Sequence, residues 1–135
     1  MSVKIRPFSG AGVSLDQVVA YRRAALGWVI ANATSLVAAR YKAAIGVVRE
    51  SATTYRIVVA GGIINTAAPP VATYLIESFT VDAATGIMST PFTLQATLSS
   101  ARGELRGGCS PSGCVFALGQ YVGVHVCECV CVCMY

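Results

Sequence analysis

From Tyr121 to Tyr135 the chain runs on a period of two. Val122, Val124, Val126, Val130 and Val132 hold even positions, and Cys127, Cys129, Cys131 and Cys133 hold odd ones. An extended chain with that period projects all four cysteines from one face. The pattern also has a simple origin in DNA. Valine written GTG and cysteine written TGT form a plain (GT)n repeat, and Glu128, Met134, Tyr121 and Gly123 each lie one base from it. Only His125 needs two changes. The tail is therefore read as translated repeat DNA, and folding information is expected to stop near residue 100. A tail encoded by non-repetitive codons would refute this.

The remaining length suits one domain with a real core. Hydrophobic residues make up 55% of the chain and charged residues only 12%, against about a quarter charged in average proteins. So few charges leave apolar surface to be covered by self-association, a partner or lipid. The net charge of +4 is scattered over Lys4, Arg6, Arg22, Arg23, Arg40, Lys42, Arg102 and Arg106. No basic run interleaves with aromatics, so nucleic-acid binding is not expected. Met1–Pro7 carries no apolar stretch of signal-peptide length, and an intracellular location is the expectation. Ala24–Ala39 is uncharged between Arg22, Arg23 and Arg40, Lys42, which makes it a candidate membrane anchor. It is shorter than the roughly 20 residues that cross a bilayer, and Asn32, Thr34 and Ser35 interrupt it.

Val3–Phe8 reads as a short extended segment, followed by the flexible Ser9-Gly10-Ala11-Gly12. Ser14-Leu15-Asp16-Gln17 then has the form of a helix start, with Ser14 and Gln17 capping each other and Asp16 at the positive helix end. Leu15, Val18, Val19, Leu26, Val29, Ile30 and Ala33 recur at helical spacing and predict a buried stripe. Residues 36–48 fit strand or helix; the alternation of Val37, Ala39, Tyr41, Ala43, Ile45 and Val47 favours a strand. Glu50-Ser51-Ala52 turns the chain into Thr54–Val59, which is rich in strand formers. Pro69 and Pro70 mark a loop. Thr73–Val81 is the clearest strand: Tyr74, Ile76, Ser78 and Thr80 face one way, and Leu75, Glu77, Phe79 and Val81 the other. Asp82-Ala83-Ala84-Thr85-Gly86 is a hairpin turn, and Ile87–Leu98 is a returning strand with Pro91 at a bulge or edge. Tyr41, Tyr55, Tyr74 and Phe79 are expected to pack against the helix.

The expected fold class is thus α+β: one N-terminal helix packed on a three- to four-stranded antiparallel sheet in residues 1–100, then a weakly ordered Cys-rich tail over 101–135. The helix Ser14–Ala33, the hairpin Val47-Val48-Arg49 to Tyr55-Arg56-Ile57-Val58-Val59 and the strand Thr73–Val81 follow an order that resembles the cystatin-like fold. That resemblance covers roughly residues 10–98 and implies a hairpin that wedges into cysteine proteases. The segment matching the Gln-x-Val-x-Gly motif is Gly46-Val47-Val48-Arg49-Glu50, which lacks both the Gln and the second Gly. Val47, Val48, Arg49 and Glu50 are accordingly the candidate binding residues.

Chemistry-bearing residues are few. Thiolates spaced C-x-C bind soft metals, so Cys127, Cys129, Cys131 and Cys133 are the residues that would hold one; the repeat origin accounts for them without a ligand, and no metal or cofactor is expected. Cys109-x4-Cys114 lies at the edge of zinc-pair spacing, and a disulfide framework is not expected. His125 is the only histidine, and the six acids fall singly on separate elements, so no general acid–base pair is local. The chain is expected to be a non-enzymatic interaction or assembly domain that associates with itself or a larger complex. The alternatives are a small membrane-associated subunit anchored through 24–39 and a cystatin-like protease-binding module acting through the Arg49–Ala52 turn.

Overall fold

Gly27 stands in the middle of the segment expected to be helical, and its φ of +135° is a backbone state that no helix contains. The computed structural model describes residues 2–5, 17–25, 27–64, 71–93, 98, 101, 103, 105–117, 119–121, 124–126 and 130–132. No helix occurs among them, so the α+β expectation is overturned in favour of an all-β architecture. The strands are β1 (Ser2–Ile5), β2 (Gln17–Ala24), β3 (Gly27–Ser35), β4 (Ala44–Arg49), β5 (Thr54–Ala60) and β6 (Ile76–Asp82), followed by β7 (Phe92–Thr93), β8 (Arg106–Ser110), β9 (Gly113–Ala117), β10 (Gly119–Tyr121), β11 (Val124–Val126) and β12 (Val130–Val132). Ser14 and Leu15 lie outside the described residues.

Two properties of residues 17–35 explain the correction. Val18, Val19, Tyr21, Trp28, Val29, Ile30 and Thr34 are β-branched or aromatic, and lose side-chain freedom in a helix. Gly27 then supplies the turn that folds β2 back on β3, with Ala24 opposite Gly27. Of the expected apolar stripe, Val18 and Val19 are buried, whereas Val29, Ile30 and Ala33 are exposed. The resemblance to the cystatin-like fold loses its carrying helix with this change.

All the sheets are antiparallel: β1-β2-β3, β4-β5-β6-β7, β12-β9-β8 and the pair β10-β11. The four-stranded sheet is central. Its register places Ile45, Val59 and Glu77 side by side on one face, with Val47, Ile57 and Phe79 in the next row. The opposite face carries the rows Ala44, Ala60, Ile76 and Gly46, Val58, Ser78. Each face has its own buried cluster. Ile57, Val59, Phe79, Val81 and Met88 pack against Val18 and Ala20 of β2 and against Leu36. Ala44, Val58, Ala60 and Ile76 pack against Leu98, Leu105, Cys114 and Phe116. Leu105, Cys114 and Phe116 belong to the stretch expected to be weakly ordered, yet they are buried. β12, from the alternating tail, pairs with β9 through Val130–Phe116, Cys131–Val115 and Val132–Cys114.

Phe79 does face the N-terminal segment, across a strand rather than a helix. Tyr74 is exposed instead of packed. The Asp82–Gly86 turn forms, with Gly86 at φ +78° and the Asp82 carboxylate accepting from the Ala84 and Thr85 amides at 2.9 and 2.7 Å. In the segment 87–98 the described pairing with β6 is β7 and an isolated bridge between Val81 and Met88.

Candidate functional site

The expected binding hairpin exists, and its residues point in different directions. In β4, Val47 and Arg49 are exposed and Val48 is buried. At the turn, Arg49 donates through Nε to the Ser51 carbonyl at 2.9 Å and through Nη2 to the Ala52 carbonyl at 3.1 Å. Glu50 forms an exposed ion pair with Arg56, and the Ser51 hydroxyl accepts from the Thr54 amide at 2.9 Å. The charged groups of this turn are thus engaged in holding the turn itself. Val47 alone among the four candidates presents uncommitted apolar surface.

Two other places carry more chemistry. The first is β3. Trp28, Val29 and Ile30 are 57%, 41% and 62% exposed, and among the described residues β3 pairs with β2 only, which leaves its other edge open. The pairing slips at Ala20/Tyr21, so that Ala31 is an extra residue. Such a bulge bends the strand. Below it, Asn32 and Thr34 stand opposite the buried Ala20 and Val18; above it, Gly27, Trp28, Val29 and Ile30 are exposed. Ala31 marks the pivot, since a Cβ added to Gly86 would lie 2.6 Å from the Ala31 Cβ.

The second is the strap between β3 and β4. Glu77 projects from β6 onto the apolar face beside Val59, and its side chain is fully buried. An isolated carboxylate there would be heavily penalised. The strap supplies its partners. Val37 and Ala38 donate their amides to Oε2 and Oε1 at 2.6 and 3.2 Å, and the equally buried Arg40 pairs with Oε1 through Nη2. Arg40 Nη1 donates to the carbonyls of Gly61 and Leu75 at 3.2 and 3.0 Å. Burial pulls the Arg40 guanidinium below its ordinary pKa, and the charge of Glu77 acts in the opposite sense. Its Nε is buried with no hydrogen-bond acceptor among the described residues.

Gly62 makes this approach possible. A Cβ there, at φ +104°, would sit 2.9 Å from the Tyr41 carbonyl oxygen and 3.1 Å from the Ala43 Cβ. Tyr41 and Ile63 close the contact by exchanging amide–carbonyl bonds at 3.0 and 2.8 Å. Lys42 follows at φ +55°, a left-handed conformation uncommon for a side chain of its kind. Beside the strap opens a cleft of about 230 Å³, lined by Leu36, Arg40, Tyr41, Lys42, Ala43, Ile45 and Val59.

The cysteines fall differently from the metal reading. Cys109 and Cys114, directly opposite on β8 and β9, form a disulfide. Gly46 of β4 accommodates it, since a Cβ at that position would collide with Cys109 Sγ. Cys127, Cys129 and Cys133 lie outside the described residues, and Cys131 is placed by its backbone in β12. Among the described residues no group of three or more His, Cys, Asp or Glu is arranged to hold a metal ion. No helix among them is long and apolar enough to cross a membrane, and the proposed anchor 24–39 is mostly strand β3.

Arg40 and Glu77 were not identifiable as a pair from local spacing, being 37 positions apart. One signal was present. Alternation puts Glu77 on the same side as Phe79 and Val81, and an acid on an apolar strand face requires a partner. Trp28 and Ile30 were masked by the helical reading, which assigned that stretch to a core or a membrane. No protein-family model matches the chain, and no curated protein matches it either.

Proposed function

We propose that this chain is a non-catalytic assembly domain that pairs with a second copy of itself along β3. The exposed edge formed by Trp28, Val29 and Ile30, which has no strand beside it among the described residues, carries this reading. Proteins normally blunt open edges with lysine, proline or short strands. β3 is nine residues long and contains neither proline nor any charged residue. Its bulge at Ala31 sets off the apolar end rather than covering it. An identical strand, laid antiparallel across a two-fold axis, is a matched partner for such an edge. Backbone amides and carbonyls pair, Trp28 and Ile30 bury apolar area, and no like charges on the two strands oppose each other.

Trp28 is the only tryptophan, so its fluorescence reports on this contact alone. Sedimentation of the full chain should show a dimer that dissociates on dilution, with the Trp28 emission shifting to the red as it does so. The substitution Ile30→Lys should give a folded monomer at all concentrations. A wild-type chain that stays monomeric at high concentration, with unchanging emission, would remove the proposal.

A further inference from the structure

Strand β8 has little of its own to hold it in place. Arg106, Gly107, Gly108 and Ser110 are exposed, and Cys109 alone is half-buried. Among the described residues β8 is the outer strand of its sheet and pairs with β9 only. Two consecutive glycines weaken such a strand further, since they bring no side chain to pack and lose the most freedom on ordering. The Ser110 hydroxyl bonds within the turn, donating to the Gly113 carbonyl at 3.3 Å. Of the β8 side chains, Cys109 is the one that packs on the cluster containing Ala44, Val58 and Ile76, and its Sγ fills the place that a Cβ on Gly46 would take. Leu105, buried just before the strand, tethers its start. β9 is held firmly by contrast, because Cys114 and Phe116 are both core residues.

The Cys109–Cys114 bond thus joins a loosely held strand to a firmly held one. A disulfide persists in oxidising surroundings and yields to thiols in reducing ones, and access decides which of its sulfurs is attacked. A thiol that reached Cys114 would have to enter the apolar core, whereas Cys109 comes free when β8 alone lifts from the edge. We propose that Cys109 is a thiol-exchange site, and that its bond to Cys114 is a latch opened by low-molecular-weight thiols. The thiolate of the small thiol attacks Cys109 Sγ and forms a mixed disulfide with it. The Cys109–Cys114 bond breaks, and its electron pair passes to Cys114 Sγ, which takes up a proton. One thiol is consumed and one appears, so the exchange needs no other oxidant or reductant. β8 leaves the sheet with its adduct, while Cys114 stays in the core beside Phe116. Attack by Cys114 on the mixed disulfide expels the small thiol and closes the latch again. No residue of β3 takes part, so the latch is independent of pairing along that edge.

The test holds the folded full chain in a buffer of reduced and oxidised glutathione, quenches it with acid and maps the adducts by mass spectrometry. Glutathione should be found on Cys109 about tenfold more often than on Cys114, as access requires. Amide exchange in Arg106–Ser110 should quicken about tenfold as the adduct accumulates, while β5 and β6 stay protected. Returning the chain to oxidised glutathione alone and then removing it should restore that protection. Gly46→Ala, whose Cβ takes the place of Cys109 Sγ, should open at a lower proportion of reduced glutathione. In the double variant Cys109→Ser with Cys114→Ser, which keeps the tail cysteines, exchange in Arg106–Ser110 should be fast with or without glutathione. A glutathione response that survives in the double variant would assign the effect to the tail and overturn the proposal. So would equal labelling of Cys109 and Cys114, no adduct on either, or slow exchange in Arg106–Ser110 once Cys109 carries glutathione.

Discussion

On one face of the central sheet, Ala44, Val58, Ala60 and Ile76 meet Leu98, Leu105, Cys114 and Phe116 in an all-apolar contact, clipped by the Cys109–Cys114 disulfide. On the other, the apolar contact with β2 stops at Glu77, and a strap carrying Arg40 closes the layer with ions and backbone amides. Apolar closure is tolerant, because any well-shaped hydrocarbon contributes burial. Ionic closure is not: both charges are desolvated, and each is tolerable only while the other stays in place. The first face therefore behaves as scaffold. The second has a cleft beside the strap, an Arg40 Nε with no acceptor among the described residues and Lys42 in a left-handed conformation.

The largest effect should come from breaking the ionic closure. Glu77→Gln leaves the Arg40 charge buried alone and should lower stability by about 3–5 kcal/mol in urea unfolding. Arg40→Met should do the same from the other side. The double substitution of Arg40→Met with Glu77→Leu should recover part of that loss, since it removes both buried charges, although the Val37 and Ala38 amides lose their acceptor. If the single variants unfold like the wild type, the two faces are not held together by different chemistry.

The apolar closure should respond to shape instead. A Cβ at Gly46 meets Cys109 Sγ, so Gly46→Val should push the β8–β9 hairpin off the sheet, at about 1–3 kcal/mol. The next position, Ile45, faces the cleft, and Ile45→Val should change little. Replacing both Cys109 and Cys114 by serine should cost about 2 kcal/mol, the value for a very short closed loop. Its effect is expected on the C-terminal hairpin, seen as faster amide exchange in Arg106–Ala117 with β2 and β3 protected as before.

How far the sequence led depends on the range over which each signal acts. The turn at Asp82–Gly86 and the hairpin from β4 to β5 are local patterns that the structure contains, and the strand expected over Thr73–Val81 is present as Ile76–Asp82. The N-terminal segment misled because alanine and valine at spacings of three and four also alternate, and alanine suits either state. Gly27 was the decisive local mark, a residue poorly placed in a helix interior and natural in a turn. The strap shows the opposite limit. Residues 36–43 alternate as a strand would, yet strand β4 begins at Ala44, because the amides of Val37 and Ala38 are drawn to Glu77 instead of to a neighbouring strand. Nothing near Arg40 in the chain announces that partner. The Cys109–Cys114 disulfide, which was not expected from the sequence, closes a hairpin around Pro111-Ser112-Gly113.

The smallest expected effect is an acid response that belongs to neither face. Asp82 lies at the end of β6, where its carboxylate accepts from the Thr85 amide and hydroxyl and from the Ala84 amide. These bonds, the Thr85 amide foremost, hold its pKa below the ordinary carboxylate value. A group whose pKa is lower in the folded state contributes stability above its unfolded pKa, and that contribution fades as pH falls through the folded one. The wild-type melting temperature should therefore decline on acidification below about pH 4. In Asp82→Asn, which keeps an oxygen acceptor for the turn, the neutral-pH melting temperature should drop slightly and the part of the acid decline due to this turn should vanish. Melting curves of both proteins between pH 3 and pH 7 make the comparison. Parallel pH profiles would show that the acid response arises elsewhere, and would direct attention back to the face closed by Arg40.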